Sequence, residues 1–177
     1  MEKANAEAER ILRARAHTLA RAPRPAPAAG TMLELLEFRL ASERYALETR
    51  HVQGVHPLRE LTPLPCTPPF VLGIVNVRGH ILPVFDLKKF FDLPERGLTD
   101  LHRMILVRGN GLELGLLADV IVGVRSVAAD DLQPSLPTLS GIRADYLKGV
   151  SVERLVVLDL DRILSDPKII VHEEVEG

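Results

Sequence analysis

The chain repeats itself once, and that repeat limits its fold more than any other feature. YALETRHVQGV (45–55) lines up with LGLLADVIVGV (114–124), with matches at Leu47/Leu116, Gly54/Gly123 and Val55/Val124. ILPVFDLKKFF (81–91) lines up with RLVVLDLDRIL (154–164) through a gapless shift of 73, and there Val84/Val157, Asp86/Asp159 and Leu87/Leu160 are identical. Each copy runs in the same order: a hairpin, a V-x-G-V segment, a Pro-containing loop, then a glycine, a second hairpin and an Asp-Leu helix. One duplication with a period near 70 residues is too long and too few for a solenoid. It predicts two similar small β units packed together. About five short, closely spaced strands per unit point to a small barrel rather than a parallel sheet.

Local patterns fill in the units. LELLEFRL (33–40) and YALET (45–49) read as strands joined by a turn at Ala41–Arg44, and RHVQGVHPL (50–58) as a third strand or irregular extension. TPLPCTPPF (62–70) holds four prolines, none able to donate a ladder hydrogen bond, and reads as a loop. GIVNVRGHILPVFDL (73–87) is two β-branched and aromatic runs broken at Arg78-Gly79-His80, a hairpin with an arginine in its turn. DLKKFF (86–91) reads as a short helix with Asp86 as N-cap, and Asp159 holds the matching place in the second copy. HRMILVRGNGLELGLLAD (102–119) is a hairpin whose Asn110-Gly111 suits a type I′ turn. Asp119, at its end, is expected to cap or turn the chain.

The flanks differ in character. Residues 6–21 favour a helix, with Ala8, Leu12, Ala16 and Leu19 on one face and Ile11 beside them. Alternating Pro and Ala in residues 22–30 make an extended, semi-rigid linker. Residues 1–30 therefore read as an appendage to a body at 33–168, and its state is open: disordered, docked on the body, or binding a partner helix. Residues 169–177 form an acidic tail.

Charge and composition exclude several function classes. The net charge of −2 is split between a basic 1–30 and an acidic remainder, which argues against nucleic acid as a partner of the body. No apolar run approaches the roughly 18 residues that insert into a membrane, and residues 1–21 lack a signal peptide's apolar stretch. A single cysteine, Cys66, excludes an internal disulfide framework. The expectation is a cytoplasmic protein. No metal site is expected: His51 and His56 fall on opposite faces of a strand and no third ligand accompanies them. No phosphate-binding loop or Gly-x-Ser-x-Gly is present, and no cofactor is expected. Asp159 and Asp161 could form a carboxylate pair, but an Asp at the same junction in both copies is better explained as a helix cap. Nothing supports an enzyme.

What remains is surface. Val52, Val55, Ile74, Val77, Ile81 and Leu82 are more apolar side chains than one small barrel interior absorbs by alternation, so some lie between the halves or face outward. Exposed apolar groups beside an arginine suit a protein partner. A buried set of six with Arg78 as a solvated turn residue is the equally open alternative.

FVLGIVNVRGHILPVFDLKKFF closely resembles the signature of CheW-like domains, roughly Phe-x-x-Gly-x-x-Asn-x-Arg-Gly-x-x-x-Pro-x-x-Asp-Leu. Phe70, Gly73, Asn76, Arg78, Gly79, Pro83, Asp86 and Leu87 all fit. The resemblance extends over residues 33 to about 168. It implies a mainly β fold of two SH3-like five-stranded barrels sharing a core. It also implies a non-enzymatic adaptor that couples the cytoplasmic tip of methyl-accepting chemoreceptors to the regulatory domain of a CheA-type histidine kinase, in arrays at the membrane. Arg78 matches the arginine associated with receptor binding, with Asn76 in the same motif. Val52, Val55, Ile74, Val77 and Ile81 match a groove between the barrels that would take a helical hairpin. Gly73, Gly79, Gly115 and Gly149 match family glycines that allow close backbone approach near interfaces.

Three departures qualify what the resemblance implies. Gly54 stands where the family often has an acidic residue. Residues 1–30 exceed the minimal domain, which keeps a second expectation open: a scaffold of a non-motility pathway recruiting another partner through its N-terminal helix. Neither a receiver domain nor a kinase catalytic or phosphotransfer segment is legible. Finally, the second copy lacks Asn-x-Arg-Gly, so the scaffold is duplicated and the arginine corner is not.

Overall fold

Apolar runs rich in β-branched residues and Leu set most of the strands, and turn chemistry sets their ends. The computed structural model describes residues 30–94, 102–134 and 142–169. The expected helix at 6–21, most of the Pro/Ala linker, part of the 133–138 loop and most of the acidic tail lie outside them. The strands are β1 (Met32–Leu40), β2 (Glu43–Glu48), β3 (Val52–Pro57), β4 (Val71–Val77), β5 (His80–Phe85), β6 (Arg103–Gly109), β7 (Leu112–Ala118), β8 (Val120–Ala128), β9 (Leu147–Val150) and β10 (Val156–Leu158). Short helices α1 (Leu87–Phe90) and α2 (Leu160–Leu164) follow β5 and β10. Asp86 and Asp159 are their N-cap residues, and each carboxylate accepts a backbone N–H, from Lys88 at 2.9 Å and from Arg162 at 3.1 Å. The β6–β7 turn has positive φ at both Asn110 and Gly111, 50° and 78°, the mark of a type I′ turn. Asn110 also donates to the Asp161 carbonyl and the Ser165 hydroxyl, tying that hairpin to α2.

The strands form two five-stranded sheets, ordered β8-β1-β2-β10-β9 and β3-β6-β7-β5-β4. Advancing every strand number in the second order by five, cyclically, gives the first, so the sequence repeat is a repeat of topology. The two units are not consecutive halves, however. The first copy's hairpin β1–β2 pairs with β8 and β10 of the second copy. The second copy's hairpin β6–β7 pairs with β3 and β5 of the first. Each sheet is thus completed by a hairpin from the opposite copy.

Three apolar clusters follow from this exchange. The largest joins both sheets with α1 and α2, and it contains all five Phe and both Tyr of the chain. A chain that is only 4% aromatic concentrates those rings where the sheets meet. Inside the first sheet, Leu33, Leu35, Ala46, Val127, Leu155 and Val157 form a purely aliphatic cluster. Inside the second, Val75, Val84 and Met104 do the same with half-buried neighbours that include Leu72 and Val77.

Each sheet curls by the same device. The chain leaving β3 returns so that Thr62 bridges Ile74 of β4, and the chain leaving β8 returns so that Gln133 bridges Val150 of β9. Both crossings pass over a glycine. A Cβ on Gly73 would lie 2.2 Å from the Thr62 carbonyl oxygen, and one on Gly149 would lie 2.9 Å from Leu132 Cβ and 3.0 Å from the Gln133 carbonyl oxygen.

Asp119 bends the chain between β7 and β8, as expected, and it is also a long-range node. Its carboxylate accepts the Ala41 N–H at the β1–β2 turn (2.7 Å), pairs with Lys88 Nζ of α1 (2.6 Å) and lies 2.9 Å from His102 Nε2. Lys88 and His102 are both buried. Burial pushes the Asp119 carboxyl up, but the Lys88 and Ala41 hydrogen bonds and the neighbouring positive charge outweigh it, holding it below the ordinary 3.8.

Candidate partner-docking site

The β4–β5 hairpin closes in two residues, because Val77 pairs directly with His80. Arg78 and Gly79 fill the loop with φ of 53° and 89°. Asn, Asp or Gly suits the first of these positions, since a side chain in the left-handed region costs on the order of 1 kcal/mol. The chain places an arginine there instead. Asn76 Oδ1 accepts the Gly79 N–H at 2.8 Å and braces the turn. The Arg78 side chain is exposed and, among the described residues, no carboxylate pairs with it.

Beside this corner runs a groove between β3 and β4, the two edge strands of the second sheet. Val55, His56, Val77, Arg78, Leu82 and Glu113 are among its lining residues. A continuing depression on the other side of Arg78 adds Asn76, Arg59 and Met104. Arg78 borders both, so it stands on the ridge dividing one long open cleft. The walls are mixed, with Val55, Val77, Leu82 and Leu106 set among polar groups that include Arg78 and two histidines, and Glu113 is engaged by Arg108 at 3.0 Å. The arrangement has no nucleophile–base pair and, among the described residues, no group of three His, Cys, Asp or Glu able to hold a metal ion. It offers shape, apolar area and two arginines, Arg59 and Arg78, without ion pairs among the described residues, the chemistry of macromolecular recognition.

The sequence-derived set divides here. Val55, Val77 and Arg78 line the groove together. Asn76 and Ile81 are cross-strand partners, and Ile81 is 67% exposed. Ile74 and Val77 are half-buried, Val52 packs against the central cluster, and Leu82 is buried. Of the glycines, Gly79 meets nothing within 4 Å, while a Cβ on Gly115 would fall 2.3 Å from Met104 Sδ on β6. Gly54, in the groove wall, presents backbone where an acidic side chain was the family expectation.

Sequence reasoning missed two surfaces. His56 lines the groove without belonging to the set proposed for it. Val120, Val122 and Val124 on the edge strand β8 are 49%, 55% and 64% exposed, a stripe legible as period-2 alternation in VIVGV. The repeat equates Val122 and Val124 with Gln53 and Val55 of β3. The second copy has no two-residue counterpart to the Arg78-Gly79 turn, although Arg154 is left-handed at φ 61° in its longer connection. Its β9–β10 connection spans 151–155, where Val152 is 80% exposed and Ser151 Oγ accepts the Leu155 N–H.

The chain and its fold have known relatives. The family model described as the CheW-like domain matches residues 34–168. The chain is 30% identical over 143 residues to the chemotaxis protein CheW of Treponema pallidum, covering 77% of this chain and 84% of that protein. It is 28% identical to the CheW of Klebsiella aerogenes, covering 80% and 87%, and 33% identical to the protein FrzA of Myxococcus xanthus, covering 66% and 72%. Its fold superposes on the crystal structure of the scaffolding protein TtCheW from Thermoanaerobacter tengcongensis with a TM-score of 0.69 and 29% identity, covering 78% of this chain and 96% of that one. The chain belongs to the CheW-like domain family.

Proposed function

We propose that this protein is a non-enzymatic adaptor of a bacterial chemosensory array. It couples the cytoplasmic tips of methyl-accepting chemoreceptors to the regulatory domain of a CheA-type histidine kinase, and works at the cytoplasmic face of the membrane without entering it. In support of the last point, no helix among the described residues is long and apolar enough to cross a membrane. We assign the receptor contact to Arg78 with Val55 and Val77, flanked by Asn76 and the exposed Ile81. Residues 1–30 are a separate appendage.

One observation carries the reading. Each of the two topologically equivalent hairpins has a left-handed arginine in its connection, Arg78 and Arg154, and Arg78, free of ion pairs among the described residues, closes a two-residue turn at the mouth of the groove between β3 and β4. An array of membrane-bound receptors needs a rigid part that presents a fixed contact, and a two-residue turn on a paired hairpin supplies one.

Titration of the purified full chain against a receptor signalling-tip hairpin, and separately against the kinase regulatory domain, tests the reading. Arg78→Glu should abolish the first interaction and spare the second. Equal receptor binding by wild type and Arg78→Glu removes the role assigned to Arg78. Loss of all binding on deleting residues 1–30 moves the docking function to the appendage.

A further inference from the structure

Asn76 belongs to the same motif as Arg78, and its place beside the corner would suit a second contact residue. The geometry points to another role: we infer that Asn76 is a positioning residue whose side-chain carbonyl fixes the direction in which Arg78 is presented. The inference rests on the docking role proposed for Arg78.

Three observations carry it. First, the 78–79 loop has no other brace on its middle amide. In a two-residue turn the flanking pair, Val77 and His80, is held by the ladder, and the amide between the two loop residues is left to other partners. That amide is Gly79 N–H, and Asn76 Oδ1 accepts it at 2.8 Å. The bond fixes the plane of the Arg78–Gly79 peptide, and with it the backbone of Arg78. Second, Arg78 sits at φ 53°, a conformation an L-residue holds only where its surroundings impose it. Third, the guanidinium has no ion-pair partner among the described residues, so the fixed direction in which the side chain leaves the turn is the one its backbone sets.

The second copy supplies a comparison within the molecule. There Ser151, the residue after β9, accepts the Leu155 N–H with its hydroxyl, and the left-handed residue Arg154 is inside a five-residue connection. Both corners use a polar side chain at the start of the turn to hold a backbone N–H near its end. Only in the first does that brace act on a residue lining the groove.

The test is a double-mutant cycle on the full chain, titrated with a purified receptor-tip helical hairpin, together with hydrogen exchange at the Gly79 amide. Asn76→Ala should speed Gly79 exchange and weaken binding about fivefold, the range set by one net hydrogen bond. Asn76→Asp keeps the acceptor and should restore both properties to within about twofold. In an Arg78→Ala background, Asn76→Ala should change affinity no further. Additive losses in the double variant mean that Asn76 touches the receptor itself, and the inference fails. Unchanged binding by Asn76→Ala, with faster Gly79 exchange, also overturns it. If Arg78→Ala leaves affinity intact, the docking role of Arg78 is what fails, and the exchange data still report whether the brace exists.

Discussion

Removing the Asp119 carboxylate should destabilise the fold more than any surface substitution, although Asp119 is far in sequence from each of its partners. Lys88 is 2% exposed, and its ammonium is paired with Asp119 at 2.6 Å. Asp119→Ala strands that charge, and breaking a buried pair from one side costs about 3–5 kcal/mol. Loss of the bond to the Ala41 amide adds about 1 kcal/mol. Replacing the pair by Met and Asn removes the stranded charge as well, so Lys88→Met/Asp119→Asn should recover most of the loss. Urea denaturation at neutral pH, extrapolated to water, measures all three species. A cost below about 1 kcal/mol for Asp119→Ala, or a double variant no more stable than the single, would refute the reasoning. The pH dependence has a fixed sign. Because the folded carboxyl lies below the ordinary 3.8, the folded state binds fewer protons than the unfolded one in that window. The node's stabilisation is complete above 3.8 and is lost as pH falls through the lower folded value; in Asp119→Asn that acid-side loss should shrink.

Arg78→Asn relieves the left-handed strain and should leave stability equal or raise it by up to about 1 kcal/mol, while receptor-tip binding falls; a thermal melt and a titration read the two effects separately. Gly73→Ala should destabilise by about 3 kcal/mol or more and Gly115→Ala by about 1–3, because the first meets the Thr62 backbone and the second the flexible Met104 side chain, a ranking that chemical denaturation checks. Burial, together with the hydrogen bond to Asp166, pushes the Tyr146 phenol up to about 12, so ultraviolet titration should show a tyrosine ionising well above the ordinary 10.0. The folded state then holds a proton the unfolded state has released, and Tyr146 contributes stability that is full below 10 and declines as pH rises towards 12.

Much of this molecule was legible in its residues because its signals are local. Alternation marks β1, turn dipeptides mark the β6–β7 hairpin, and Asp before an apolar run marks α1 and α2. The repeat gave two similar units. What it could not give is which hairpin joins which sheet, since pairing β1–β2 with β8 and β10 satisfies the same alternation as pairing it with its own copy. The Asp119 node was illegible for a related reason: Lys88 in DLKKFF has the pattern of a solvated helix residue, and only tertiary packing brings it to a carboxylate 31 residues away. Within the candidate site, Arg78 was singled out by its absence from the second copy. Val52 was not separable from Val55, because a one-step difference in facing turns one to the central cluster and the other to solvent.

The exchange of hairpins also bears on how such a chain could arise. A single copy, cut after α1, would hold β1–β5, and its β1–β2 hairpin would have either its own β3 and β5 or those of a second copy to pair with. Two such copies placed face to face would exchange hairpins and reproduce both strand orders, giving a symmetric dimer. The present molecule therefore has the form of two subunits joined end to end. In one chain the first corner can close in two residues while the second takes five, whereas in a symmetric pair the same turn would appear twice.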